Sequence, residues 1–256
     1  FATYWALPDF EQDDMNRNLL GDSSLYRQML EKLDTRLTGE APVFDYIVTI
    51  FGHLDYPFNS SRPKVISVSG DNKMLEDYAN QMYYKSRELM TFLAQLRQRD
   101  PDSLIVMFGD HLPFLGSNFG GYTEHGLLES TRASFTDQMF RTLTKTPLIV
   151  IDGKNGPVVT GELPLFRVPE LILDLLGDSS KSIVRLSKLP GTEVIRPLPG
   201  LHLRISDENT SVCKTNAAGN PQSCTRTAPL VDALDVLTYD LFNGRQHALE
   251  LTGAGN

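Results

Sequence analysis

The stretch Ser103-Leu-Ile-Val-Met-Phe-Gly-Asp-His-Leu-Pro-Phe-Leu-Gly116 is a short apolar run that stops at an acid and an imidazole. Leu104 to Phe108 are apolar without interruption, the pattern of a strand covered on both faces in a parallel sheet. Ligands of open α/β sheets gather just beyond the carboxyl ends of such strands. Asp110 and His111 fall at that end and set a hard oxygen donor beside an imidazole, two donor types that Zn²⁺ or Mn²⁺ accept. The bland alternative is an acid that caps the following turn, with the histidine beside it by coincidence.

A second run, Phe44-Asp-Tyr-Ile-Val-Thr-Ile-Phe51, is β-branched and aromatic and predicts another buried strand. It ends in Gly52-His53. If the two strands are parallel neighbours, His53, Asp110 and His111 meet at one sheet edge. There His53 could donate a hydrogen bond to an oxyanion, the usual way charge is stabilised in phosphoryl transfer; taken alone it reads as an ordinary loop histidine. Between the runs, helical spacing of apolar residues predicts helices over 23–34, capped by Asp22, and from Asp71 to Leu96.

After Gly116 the glycine-rich stretch to Thr131 predicts a loop over the site. His125, in Gly120-Gly-Tyr-Thr-Glu-His-Gly126, could fold back from it. A helix over Phe135–Leu143, a buried strand at Pro147–Ile151 and a helix from Pro169 to Gly177 complete an α/β core assigned to residues 1–178. Residues 179–256 change texture. Pro190, Pro197, Pro199 and short apolar pieces predict a smaller antiparallel, β-rich appendage with a closing helix over Asp235–Gly244. His202, in an alternating Leu-His-Leu-Arg-Ile pattern, is expected on a solvent face, and His247 has no partner in sequence.

With 256 residues, 41% of them hydrophobic, the chain can bury a sizeable core. A net charge of −8 without a Lys/Arg cluster argues against nucleic acid as a partner. No stretch approaches the ~20 apolar residues that span a bilayer. The chain opens on Phe1-Ala-Thr-Tyr-Trp5 without an initiator Met or a signal pattern, so it is expected to be part of a longer protein. The two cysteines, Cys213 and Cys224, flank a polar loop. They read as a disulfide, which would suit an oxidising compartment, or as two unrelated thiols; no further soft ligand nearby supports a metal pair. There is no Gly-x-Ser-x-Gly elbow and no phosphate-cradling Gly-x-x-x-x-Gly-Lys loop. Asp55 and Asp110 leave a paired-carboxylate, glycosidase-like reading open.

Four stretches together resemble the lipoteichoic acid synthase and phosphoglycerol transferase family of the alkaline phosphatase–sulfatase superfamily. They are Tyr46-Ile-Val-Thr-Ile-Phe-Gly-His53 with Tyr56-Pro-Phe58, Phe108-Gly-Asp-His-Leu-Pro-Phe-Leu-Gly116, Lys145-Thr-Pro-Leu-Ile-Val-Ile151 and Leu237-Thr-Tyr-Asp-Leu-Phe-Asn-Gly244. Gly21-Asp-Ser-Ser-Leu-Tyr26 also matches. The resemblance implies a sulfatase-like α/β sheet flanked by helices, Asp110 and His111 as ligands of a divalent ion (Mn²⁺, Zn²⁺ or Mg²⁺), and His53 on the transferred phosphoryl group. It also implies that His125 plays the part of the histidine found on the next loop in related phosphoethanolamine transferases.

The implied reaction moves a phosphoglycerol or phosphoethanolamine head group from a phospholipid donor to a glycan or lipid acceptor. It takes place on the extracytoplasmic face of the bacterial cytoplasmic membrane, in a protein held there by an N-terminal transmembrane region outside this chain. In the family the threonine nucleophile and an acidic metal ligand precede everything seen here. Thr49 lies inside a predicted strand and does not replace them. The expectation is therefore that this chain by itself binds metal weakly and turns over nothing. A hydrolase of the phosphodiesterase or sulfatase type, and a non-catalytic glycan- or partner-binding relic, are the rival readings.

Overall fold

The computed structural model describes residues 3–39, 41–58, 60–180, 184–185, 194–198, 200–206, 209–214, 222–225 and 227–252. The chain divides into two compact units: Phe1–Ile105, His111–Arg132 and Gly153–Gly156 form the first, and Val106–Asp110, Ala133–Asp152 and Pro157–Asn256 the second. The chain passes between the two units several times, once between Asp110 and His111.

In the first unit, a small antiparallel pair, β1 (Met15–Asn16) and β2 (Leu19–Leu20), leads into helix α1 (Asp22–Asp34). Tyr26, Met29, Leu30 and Leu33 are buried on α1, as their spacing requires, and Tyr26 stacks on Phe92 at 4.5 Å between ring centroids. Asp22 is not the cap expected of it. Gly21 holds the N-cap position, and the Asp22 carboxylate turns inward to meet Lys85.

Helix α2 (Lys73–Arg99) starts two residues after and ends three residues beyond the expected Asp71–Leu96, with Asp100 as its C-cap, and the Asn72 side chain caps its start by accepting from the Leu75 N–H. Leu93 is buried on it, but so are Asp77, Asn80 and Gln81, so α2 carries a polar stripe into the interior. Asn80 shows why this is tolerated: its amide accepts from the N–H groups of Val65 and Ile66 and donates to the carbonyls of Ile66 and Glu76.

Residues 44–51 depart from expectation. The segment is extended but belongs to none of the three sheets among the described residues. Phe44, Tyr46, Val48 and Ile50 are 63, 59, 67 and 44% exposed, while Asp45, Ile47 and Thr49 are half-buried and Phe51 is buried. The run is two-faced rather than buried on both sides, and a β-branched, aromatic composition does not distinguish those two cases.

Strand β3 (Leu104–Phe108) pairs with β4 (Leu148–Asp152), which pairs with β5 (Gly156–Pro157); α3 (Gly120–Thr123) and α4 (Asp137–Leu143) lie between β3 and β4 in sequence. The hydrogen bonds that flank the β3–β4 pair join Gly109 N–H to the Pro147 carbonyl and Gly153 N–H to the Ser103 carbonyl. They run the two strands in opposite directions, and the parallel neighbour expected for β3, the run 44–51, is in none of the sheets among the described residues. Ile105 is the buried residue of β3, its other positions being half-buried. Gly153 is required where it stands, because a Cβ there would lie 2.3 Å from the Pro101 carbonyl oxygen. The loop after β3 is partly structured, by a 3₁₀ turn at Ser117–Phe119 and by α3.

In the second unit, Thr136 caps α4 by accepting from the Met139 N–H, and α5 (Val168–Leu175) carries Pro169 in its first turn. Strands β6 (Val194–Leu198), β7 (Leu201–Ser206) and β8 (Asn209–Lys214) form the antiparallel meander expected of the appendage. Helix α4 meets it where Asp137 accepts from the Val212 N–H at 3.3 Å. Helices α6 (Gln222–Thr225), α7 (Ala228–Phe242) and α8 (His247–Thr252) follow; α7 begins seven residues before the closing helix was expected, and Ile195 and Val231 join in a core with Phe166. Cys213 and Cys224 form a disulfide, and both are fully buried.

His202 corrects its assignment to a solvent face. It is 1% exposed, sits opposite Cys213 in the β7–β8 register, and bonds through Nε2 to Thr227 Oγ1. The Thr227 hydroxyl donates to the Cys224 carbonyl, so the imidazole must be the donor of that pair. Nδ1 is then a bare acceptor with no hydrogen-bond partner among the described residues, and burial pulls the His202 pKa down against the opposing charge of Asp232.

Candidate functional site

His53 stands where the extended segment ends, at the junction of two tight turns. Its N–H donates to the Ile50 carbonyl and its own carbonyl accepts from the Tyr56 N–H, both at 3.1 Å. Gly52 has a φ of +80°, which a side chain would strain, and this is where the chain reverses.

The turn is anchored at three points, all within the first unit. At its start, Lys85 Nζ reaches Thr49 Oγ1 (2.6 Å), the Phe51 carbonyl (3.0 Å) and Asp22 Oδ2 (3.0 Å). Three acceptors match the three N–H bonds of an ammonium, and Thr49 is one of these acceptors rather than an activated nucleophile. Asp22 is completely buried; desolvation raises its pKa, and Lys85 opposes that rise. At the far end, the Pro57 carbonyl accepts from the side-chain amides of Asn16 and Gln81, 3% and 1% exposed. Between them Tyr56 is buried, its ring edge-on to Tyr78 at 5.4 Å, and its hydroxyl donates to the Phe114 carbonyl at 2.7 Å. His53 itself is exposed. The result is an accessible imidazole on a rigid base.

His111 is also exposed, and its Nδ1 lies 2.8 Å from the Leu112 carbonyl oxygen. A carbonyl can only accept, so Nδ1 donates to it, and Nε2 is the nitrogen that a neutral His111 would offer to a metal. Asp110 is exposed at the end of its strand. His125 is exposed three residues after Tyr122, in a turn closed by Gly126 N–H to the Thr123 carbonyl. These side chains do not amount to a metal site: among the described residues no group of three or more His, Cys, Asp or Glu is arranged to hold an ion. Asp55, the second member of the paired-carboxylate reading, is engaged in an exposed ion pair with Arg17.

Sequence reading found the histidines but missed the residues that hold them. Lys85, Gln81 and Asn16 sit among surface-type polar residues in the sequence. The available signal was Gln81, Lys85 and Glu88 at i, i+4 and i+7, one polar stripe along α2. Glu88 ends that stripe at Arg62, which is buried between Glu88 and Asp14 and lies over the Phe51 ring. A cleft lined by Asp13, Asp14, Ser61, Arg62, Tyr84 and Glu88 opens there. Its one buried cation is already matched by carboxylates, and none of the candidate histidines lines it.

The fold is that of the alkaline phosphatase superfamily. A protein of that superfamily from Vibrio parahaemolyticus superposes with a TM-score of 0.60 at 14% identity, over 93% of this chain and 59% of that one. The lipoteichoic acid synthase LtaP from Listeria monocytogenes superposes with a TM-score of 0.62 at 15% identity, over 96% of this chain and 62% of that one. Within that superfamily, the sulfatase family profile matches residues 2–161, and the chain belongs to the sulfatase family. In sequence it is 30% identical over 141 residues to a putative cyclic beta-1,2-glucan modification protein of Rhizobium meliloti (strain 1021), a match covering 53% of this chain and 21% of that protein. The chain thus spans about a fifth of that relative and about three-fifths of the two solved structures.

Proposed function

We propose that the chain belongs to a phosphoglycerol or phosphoethanolamine transferase that moves a phospholipid head group to a glycan or lipid acceptor outside the cytoplasmic membrane. The observation that carries this reading is the His53 turn: an exposed imidazole braced at three points, with the loop that follows His111 hydrogen-bonded to the same turn through Tyr56 and Phe114. A rigid hydrogen-bond donor aimed at developing charge is what phosphoryl transfer asks of a protein. The relatives, a putative glucan modification protein and a lipoteichoic acid synthase, support an envelope polymer as acceptor. The buried disulfide suits an oxidising compartment. No helix among the described residues is long and apolar enough to cross a membrane, so attachment would come from elsewhere in the protein.

In this reading the P–O bond to diacylglycerol breaks while one to a threonine oxygen outside this chain forms, and an acceptor hydroxyl later takes the phosphoryl group. His53 donates a hydrogen bond to a non-bridging phosphoryl oxygen. Asp110 and His111 would supply two of the donors to a divalent ion, which would neutralise phosphoryl charge, and His125 would border the head group. The described residues alone do not complete that ion's site.

The test is diacylglycerol release from labelled phosphatidylglycerol and phosphatidylethanolamine by the complete parent protein with Mn²⁺, beside His53→Ala and Asp110→Ala. Release lost in both variants is the expected result. Turnover of a soluble sulfate or phosphate ester with no release from either lipid would replace it with the hydrolase reading that the sulfatase profile favours.

A further inference from the structure

Two buried phenols grip consecutive carbonyls of the loop that follows His111. Tyr56 donates to the Phe114 carbonyl and Tyr122 to the Pro113 carbonyl, each at 2.7 Å. Both rings are at least nine-tenths buried, and all of these residues lie in the first unit. Leu115, buried next in the chain, accepts from the Gly121 N–H at 2.8 Å, which closes the loop onto the helix that bears Tyr122. Burial raises both phenol pKa values, that of Tyr122 to about 12, and each also lies within the influence of Tyr78. The hydroxyls therefore remain donors throughout the working pH range.

Position in the sequence gives the contact its meaning. Tyr56 is the third residue after His53 and its N–H closes the turn on the His53 carbonyl; Phe114 is the third residue after His111. One side chain thus spans the two segments that carry the candidate histidines, which are 58 residues apart in the chain when measured at the bond. A phenol is a rigid strut with only two rotatable bonds, and its far end is fixed by a hydrogen bond that buried polar groups rarely forgo.

We infer that Tyr56 is a positioning residue: its hydroxyl, with Tyr122 on the neighbouring carbonyl, sets the spacing between His53 and His111. The inference rests on the transferase reading for its effect on turnover, and on geometry alone for its effect on the histidines.

The experiment removes one oxygen atom. Tyr56→Phe is compared with Tyr84→Phe, which loses a similar phenol-to-carbonyl bond, to Pro63 at 2.6 Å, that does not join the two histidine segments. In the complete protein with phosphatidylglycerol, Tyr56→Phe is expected to lower kcat by about tenfold or more with KM little changed. Tyr84→Phe is expected to keep kcat within about twofold, since nothing in its surroundings moves the reacting groups. Tyr56→Phe/Tyr122→Phe should fall further than Tyr56→Phe. A kcat for Tyr56→Phe no lower than that of Tyr84→Phe overturns the inference.

A second measurement separates this outcome from a failure of the transferase reading. In the present chain labelled with ¹⁵N-histidine, the His111 ring signals should shift in Tyr56→Phe and not in Tyr84→Phe, although the substituted atom is remote from that ring in sequence. If the parent protein releases no diacylglycerol but the His111 signals move, the strut stands and the reaction assignment falls. Unmoved His111 signals sink the strut whatever the activity.

Discussion

Replacing Lys85 by methionine should destabilise the protein by an amount that depends steeply on pH. The substitution keeps the aliphatic stem and removes the ammonium from Asp22, whose side chain is 0% exposed while that of Lys85 is 22% exposed. Breaking a buried pair from one side costs about 3–5 kcal/mol, because the remaining charge has neither water nor partner. Asp22 can escape only by taking a proton. The cost of that escape is about 1.4 kcal/mol for each pH unit above an ordinary aspartate pKa of about 3.9, hence about 4 kcal/mol at pH 7 and about 1.5 kcal/mol at pH 5.

The sign is that of a carboxyl with a raised folded-state pKa. It holds its proton to higher pH than the unfolded chain does, so its contribution is present below the unfolded value and is lost as pH rises through the folded one. Without Lys85 that window moves up. Urea denaturation of wild type and Lys85→Met at several pH values between 5 and 7.5 should show a gap that widens with pH. Asp22→Asn/Lys85→Met, which leaves no buried charge, should show a gap that does not. A gap for Lys85→Met that is constant with pH, or below about 1 kcal/mol at pH 7, would refute the argument that this pair is buried and anchors the His53 turn.

Three further outcomes follow from the same reasoning. The second unit should lose stability as pH falls through the ordinary histidine value of about 6.5, because the unfolded chain takes up a proton that buried His202, its pKa depressed, refuses; His202→Leu should lose that slope in acid denaturation. Reducing Cys213–Cys224, which are separated by 11 positions, should cost roughly 3 kcal/mol in the denaturation of that unit, and an unchanged midpoint under reductant would show that the bond constrains nothing. Gly153→Ala should cost about 1–3 kcal/mol, since its methyl would meet the Pro101 carbonyl at 2.3 Å; a neutral result in thermal unfolding would mean that the β3 and β4 ends are not in contact there.

The sequence by itself determined what local chemistry determines. Helical spacing located α1, α4 and α5, proline and turn residues marked their ends, and the apolar run before Asp110 located β3. The antiparallel appendage and its disulfide were legible from alternation and from two cysteines across a polar loop. His53, Asp110 and His111 stand out in the sequence because polar residues that close an apolar run are a local pattern.

The tertiary structure decided whatever depends on a partner distant in sequence. His202 alternates like a surface residue, and only the arrival of Thr227 and the disulfide buries it. Residues 44–51 look like a core strand by composition, but burial is a property of neighbours, and here one face remains exposed. Asp22 has the position of a helix cap and becomes a buried anion because Lys85, 63 residues away, supplies the compensating charge. The brace around His53 is likewise built from Asn16, Gln81, Lys85 and Phe114, polar or backbone groups that carry no sequence signature of their role. A hydrogen bond needs a donor and an acceptor at the right distance, and one chain position records only one of the two.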